Sequence, residues 1–495
     1  MRTISKPAIA LAAGAVLAVS GTAIAKKSGP DPVSSSSAYV LPTTAGVETT
    51  ALLTVGDSVN LKPDGVTPYR MVGIPDGLGA FDNRDGTFTV LMNHELGAGA
   101  GIVRAHGAKG AFVSRWVIDT DSLAVLHGED LIQHVWVSDG TTFSTQTIAF
   151  ARFCSGDLPP KSAFWNQATH RGYDGRIYMN GEENGASGLA YAHVLDGNSY
   201  QVPWLGRFSW ENCVANGSTG DATVVAGTDD SGEGQIYVYV GAKGTTGNAA
   251  EQAGLVGGNL SAIKVTGYPF EIAATGIPSG TPFTLTGFGD VFAKSGADLQ
   301  TDSRAQGATE FNRPEDAHWD PRNPNDLYFV TTASFTGNTR LWRLNFVDVA
   351  QPELGGTIDM LLDGTEGPKM MDNICVDRRG RVLLQEDVGN NAHIGKIWAY
   401  DIATDTVTEV AHHDPARFLA GGTGFLTQDE ESSGIIDVSK ILGKGTFLLD
   451  VQAHYNRGDT ELVEGGQLLV MKVPKKDTRG EDVDDDDHGF GNDDD

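Results

Sequence analysis

Residues 372–411 hold the most restrictive pattern in the chain. NICV at 373–376 is followed by the turn Asp377-Arg378-Arg379-Gly380. RVLLQE at 381–386, KIWAYD at 396–401 and TVTEVA at 406–411 come next. Four short apolar segments separated by turn chemistry predict a small antiparallel sheet, and such a sheet needs neighbours to cover its faces. Related pieces recur along the chain. They are 78–96 with 112–127, 174–183 before 189–205, 223–230 before 235–240, 316–332 before 340–347, and 434–454. Repeated sheets of this size pack face to face around an axis. The expected fold is therefore all-β, a six-bladed β-propeller, with loop insertions to account for the irregular spacing of the units.

The ends of the chain read differently. Arg2 and Lys6 precede the apolar run 8–18, and Ala23-Ile24-Ala25 offers a cleavage site, so residues 1–25 read as a secretory signal peptide. Residues 26–50, rich in Ser, Pro and Thr, read as a linker, and 51–474 as the propeller domain. The acid-rich segment 475–495 reads as a disordered tail. Export makes the mature chain secreted or periplasmic, and no later segment is long and apolar enough for a membrane span. Asp and Glu number 64 against 36 Lys and Arg, a formal charge of -28. That field repels nucleic acid and excludes a phosphate-backbone binder. Cys154, Cys213 and Cys375 are an odd count for an exported chain. Two readings stay open: buried small hydrophobes with at most one disulfide, or a metal-ligating thiolate.

Acids recur where the second strand of a unit ends: Asn93-His94-Glu95, Glu182-Glu183-Asn184, Asp229-Asp230, Glu386-Asp387, and Asp450 through His454. In a propeller, that point and the start of the first strand share one face. Carboxylates from different units would meet around one mouth, where they raise one another's pKa unless cations compensate. Calcium suits carboxylate and amide oxygens. Each acid alone also makes sense as a turn cap; the recurrence favours a metal-rich mouth. In Phe311-Asn312-Arg313-Pro314-Glu315-Asp316, the arginine stands at the start of a first strand, where a guanidinium gives bidentate recognition of an oxyanion. His412-His413-Asp414 follows an outer-strand pattern and reads as an exposed turn. Phe153, Trp165, Trp210 and Trp319 read as packing residues. No phosphate loop, zinc helix or nucleophile elbow occurs in the sequence.

Taken in order, these motifs resemble the PhoX-type alkaline phosphatases and their wider family of secreted propellers. The resemblance rests on Asn93-His94-Glu95, Cys154-Ser155-Gly156 leading to Glu182-Glu183, Asp229-Asp230, Arg313-Pro314-Glu315, Glu386-Asp387 and Gln452-Ala453-His454. It implies a metal-dependent phosphatase that hydrolyses small-molecule phosphomonoesters outside the cytoplasm, at an iron and calcium cluster on the propeller mouth. Cys154 falls at an iron-ligating thiolate, and Glu183 (or its neighbour Glu182) and Glu315 fall at metal-binding carboxylates. Arg313 falls at a substrate-phosphate arginine, the candidate catalytic residue. Asp229, Asp230, Glu386 and Asp387 are looser matches, suited to calcium or to structure. The chain departs from the family in the 27 residues between Cys154 and Glu182, and in lacking a twin-arginine signal. Two alternatives stand beside this reading: a non-catalytic calcium-stabilised propeller that binds a partner, and a calcium-only propeller hydrolase of the phytase or lactonase type.

Overall fold

A computed structural model describes residues 34–474. The expected signal peptide and acidic tail lie outside the described residues. Strands dominate, and the longest helix, Gly296–Gln306, is a surface insertion capped by Ser295 and by left-handed Gly307. The chain is a β-propeller. Its first strands are β1 (Pro75–Asp82), β2 (Phe153–Asp157), β3 (Trp210–Ala215), β4 (Pro314–Trp319), β5 (Met371–Val376) and β6 (Glu430–Asp437). Each packs beside the next, and β6 packs beside β1, so the six strands close a ring. From each of them a sheet runs outward, antiparallel throughout except where Asn198–Gln201 pairs parallel with His134–Ser138 in the second unit.

Burial on both faces explains why the inner strands carry little polar alternation. All six residues of β3 and of β5 are buried. The space between neighbouring sheets is filled by aromatic and branched side chains; Phe88, Trp116, Leu448 and Leu468 share one such layer. Trp210 stacks on Phe208 with ring centroids 4.0 Å apart. The indole also lies against Gly181, where a Cβ would fall 2.3 Å from Trp210 Cβ. Only glycine admits that approach. The packing role expected for Trp210 therefore holds.

The third and fourth units share one nine-stranded sheet, because their outer strands Thr281–Gly289 and Gly356–Leu362 pair with each other. The last unit is completed from the other end of the chain: Glu48–Thr54 pairs antiparallel with Glu464–Lys472. Val40–Pro42 likewise pairs with Thr406–His413, the outermost strand of the fifth unit. This corrects the linker expected over 26–50. Its part from Val40 onward is built into two sheets, because Val40 and Val47 join one buried apolar cluster and Leu52 joins another, which the Ser- and Thr-rich context conceals. The exposed turn expected at 412–414 is also corrected. His413 ends a strand, is fully buried, and its Nε2 lies 2.6 Å from Ser432 Oγ.

One irregularity repeats in every unit. Each inner strand carries one residue more than its partner just after it begins. The shifts fall between Pro75 and Leu78, Phe153 and Gly156, Trp210 and Cys213, Pro314 and Ala317, Met371 and Ile374, and Ser432 and Ile435. A bulge re-aims the side chains it contains. Here it occurs at the same level all round the ring.

Candidate metal centre

The bulges deliver the site. Asp76, Cys154, Glu211, Glu315 and Asp372 are each the second residue of an inner strand, at the bulge. Their ligand atoms fall into overlapping groups, each within 4.8 Å: Asp76 with Glu95 and Cys154, Cys154 with Glu183 and Glu211, and Glu211 with Glu315 and Asp372. The residue following each of these makes a polar layer beneath. Asn212 Nδ2 donates to Asp316 Oδ1 at 2.5 Å, Asn373 Nδ2 to Ser155 Oγ at 3.2 Å, and the Ile374 N–H to Asp316 Oδ2 at 2.9 Å. Gly77 occupies that position in the first unit, where a Cβ would come 2.2 Å from Gly156 N. The close approach of β1 to β2 requires a glycine there.

The ends of the second strands form an outer tier on the same face. In four units the residue before the inner strand is non-glycine with positive φ and accepts from the second-strand end. Ile74 (φ 52°) accepts from Glu95 N at 2.8 Å, Arg152 (φ 50°) from Glu183 N at 2.8 Å, Arg313 (φ 60°) from Thr332 N at 3.0 Å, and Met370 (φ 43°) from Asp387 N at 3.0 Å. Left-handed backbone at such side chains is costly and is held by the surrounding structure, as at many functional sites.

Burial dominates the electrostatics. It raises the Cys154 thiol well above its ordinary value, reinforced by Asp76, Glu211, Glu95 and Glu183. Burial also raises Asp76, Glu211, Glu315 and Asp372, each with carboxylate neighbours adding to the effect. Glu183 is pushed up to about 8 by burial and then by Glu95, with Arg152 opposing. Asp387 reaches about 7 through burial and Glu431. Glu211 Oε1 and Asp372 Oδ1 are buried without a hydrogen-bond partner. Buried acceptors in that state lack compensation, and multivalent cations are its natural source.

Two arginines stand among the acids. Arg313 donates from Nε and Nη2 to the two oxygens of Asp230, both at 2.9 Å, and from Nη2 to Glu315 Oε1 at 2.7 Å. Burial works against its charge, but Glu315 and Asp230 hold its pKa above the ordinary value. Arg152 pairs with Glu95 at 2.7 Å and with Glu183. Both side chains are partly open to solvent, 34% for Arg313 and 50% for Arg152. Nη1 takes part in none of these bonds.

The structure thus brings together Cys154, Glu183, Asp230, Arg313 and Glu315. Asp387 sits on the same rim, bridged to Glu431. Three other candidates face elsewhere. Glu182 Oε1 accepts from Ala151 N at 3.0 Å and Asp229 Oδ1 from Ser209 N at 3.2 Å; each ties a loop, and burial pushes each to about 7. Glu386 is met by Lys369 N, Lys396 N and Trp398 Nε1, with His393 Nε2 at 3.0 Å, which leaves it a structural anchor. All three cysteines are buried and unpaired, so none of them forms a disulfide. Sequence reasoning missed Asp76, Glu211, Asp372 and Arg152. A signal for the first three exists in the recurring triplet of an apolar residue, an acid or thiol, and a small polar residue or glycine: Pro75-Asp76-Gly77, Phe153-Cys154-Ser155, Trp210-Glu211-Asn212, Pro314-Glu315-Asp316 and Met371-Asp372-Asn373.

Comparison with known proteins bears on the same residues. The family model described as alkaline phosphatase PhoX matches residues 195–435, a span that contains Glu211, Asp230, Arg313, Glu315 and Asp372. Over those residues the chain is similar to alkaline phosphatase PhoX. The structure of Pseudomonas fluorescens PhoX in complex with vanadate, a transition state analogue, superposes with a TM-score of 0.65 at 12% identity, over 92% of this chain and 98% of that one. The chain also matches a putative 6-phosphogluconolactonase from Bacteroides uniformis (TM-score 0.32, 12% identity, 72% of this chain and 94% of that one). An auxiliary nutrient binding protein from Bacteroides thetaiotaomicron matches with a TM-score of 0.38 at 9% identity, over 85% of this chain and 76% of that one. No curated protein matches the sequence.

Proposed function

We propose that the protein is an exported, metal-dependent phosphomonoesterase of the PhoX type, and that its ring is a six-bladed propeller with the active centre on the mouth described above. The observation that carries this reading is the convergence of Cys154, Glu183, Glu211, Glu315 and Asp372 beside Arg313. The vanadate bound by the Pseudomonas fluorescens protein supports phosphoryl chemistry at the corresponding fold. The donor set fits cations. Carboxylate oxygens suit calcium, and a buried thiol flanked by carboxylates suits a softer ion such as iron, with Cys154, Glu183 and Glu211 around it and Asp76, Glu315 and Asp372 beside it. When bound, such ions supply Lewis acidity and neutralise charge on the phosphoryl group.

The chain's own groups do the rest. Arg313 is held by Asp230 and Glu315, so its fork is fixed before substrate arrives and Nη1 is left to take a phosphoryl oxygen. Arg152, the corresponding residue before β2, offers a second guanidinium across the rim. The bulges keep the ligating side chains in place, and the Asn212–Asp316 and Ser155–Asn373 contacts stiffen the layer beneath. The test combines metal analysis with an aryl phosphate assay. Purified protein is expected to carry calcium with iron, and Glu315→Gln to lose metal and activity together. Full hydrolysis by metal-loaded Glu315→Gln protein would defeat the assignment. Calcium without hydrolysis would favour the partner-binding alternative.

A further inference from the structure

Arg313 also forms part of the wall of a cavity of about 280 Å³. That is below the roughly 300–1,000 Å³ of pockets for drug-sized ligands, and so suits a fragment. Its other walls include Asn312, Ala273, Ala333, Ser334 and Asn338. A buried ion pair that the metal centre does not use fixes these walls relative to one another. Glu271 takes Arg340 Nη1 on Oε1 and Asn312 N at 2.9 Å on Oε2, while Arg340 Nη2 donates to Ala273 O at 2.7 Å. One buried pair therefore ties the loop carrying Ala273, the start of β4 and the strand Arg340–Phe346. A cavity whose walls are locked in this way is preorganised for a ligand.

The lining is mixed. Asn312 Nδ2 is buried with no hydrogen-bond partner, and the hydroxyl of Ser334 and the amide of Asn338 add polar groups. The methyl groups of Ala273 and Ala333 lie among them. Amide and hydroxyl tips between small apolar surfaces match a compound that alternates hydroxyls with C–H faces. We propose that this cavity receives the alcohol portion of the substrate, and that the preferred esters are those of polyhydroxylated alcohols such as sugars, with the phosphoryl group held on the Arg313 side. The proposal rests on the phosphatase reading. It adds Ser334 and Asn338 as specificity-determining residues.

The test compares glucose 6-phosphate with phenyl phosphate, using the metal-loaded full chain. Asn338→Leu and, separately, Ser334→Val are expected to lower the ratio of kcat/KM for the sugar ester over the aryl ester by about tenfold, the effect of removing one or two hydrogen bonds. Ser334 is exposed, so its variant reports even if Asn338→Leu folds poorly. If wild-type protein hydrolyses both esters and neither variant changes the ratio, the subsite is overturned while the phosphatase reading stands. If metal-loaded wild-type protein hydrolyses neither, both fall.

Discussion

A carboxylate's role here is decided by how many donors meet it. Glu386 and Glu211 lie at comparable depth, both essentially without solvent exposure. Three N–H donors and a histidine ring saturate Glu386, whereas one oxygen of Glu211 has no partner. A saturated acid anchors loops; an orphaned one among other acids needs a cation. Glu211→Gln is therefore expected to lower bound metal while the fold persists. Glu386→Gln should retain metal but lose about 1–3 kcal/mol of stability, the cost of leaving buried donors unmet. Metal content after gel filtration and denaturant melts of the two variants separate the roles; equal metal loss in both would contradict the distinction.

Among the elements, two features set the site: the bulge near the start of each inner strand and the closure supplied by the N-terminal strands. The bulge accounts for why five consecutive units present an acid or thiol at the same level. Closure holds the last unit in the ring, because Glu48–Thr54 covers the outer edge of Glu464–Lys472. Leu53 is fully buried in the layer between the first and last units. Leu53→Ala is expected to cost about 2–5 kcal/mol through lost burial and the cavity left behind. Urea unfolding measures it, and a midpoint equal to wild type would show that the ring does not depend on this strand.

For the whole molecule, the mouth concentrates ionisable groups that burial keeps protonated when no cation is bound. There Glu183 is pushed up to about 8 and Asp387 to about 7, and outside it the loop-tying Glu182 and Glu430 reach about 7 and about 8, in each case chiefly by burial. The folded chain then holds protons that the unfolded chain has released. Stability should fall as pH rises from about 4.5 to about 8 and level off above. Under the proposed metal loading, cations would replace protons at Glu183 and its neighbours, and the decline is expected to shrink when metal is present. Chelator-treated protein should melt at progressively lower temperature from about pH 5 to about 8, with calcium raising Tm most at the upper end. A chelated protein whose Tm does not change across that range would remove the basis for the expectation.

Local pattern was enough to read the repeated sheets, the PhoX resemblance, and the placing of Cys154, Glu183, Arg313 and Glu315 on one mouth. Strand period, turn chemistry and short motifs are properties of contiguous residues. The sequence alone did not separate Glu183 from Glu182, or Asp230 from Asp229, as the residue that faces the mouth, because neighbours in a strand point to opposite sides and a bulge of one residue resets the alternation. It did not reveal that Val40–Pro42 and Glu48–Thr54 complete sheets by pairing with Thr406–His413 and Glu464–Lys472, far along the chain. Nor did it bring Asp76, Glu211 and Asp372 into the set, since each is an ordinary acid until the ring closes and leaves it buried among others. Closure of the ring is a long-range event, and it decides which carboxylates are capped and which are left buried without a hydrogen-bond partner.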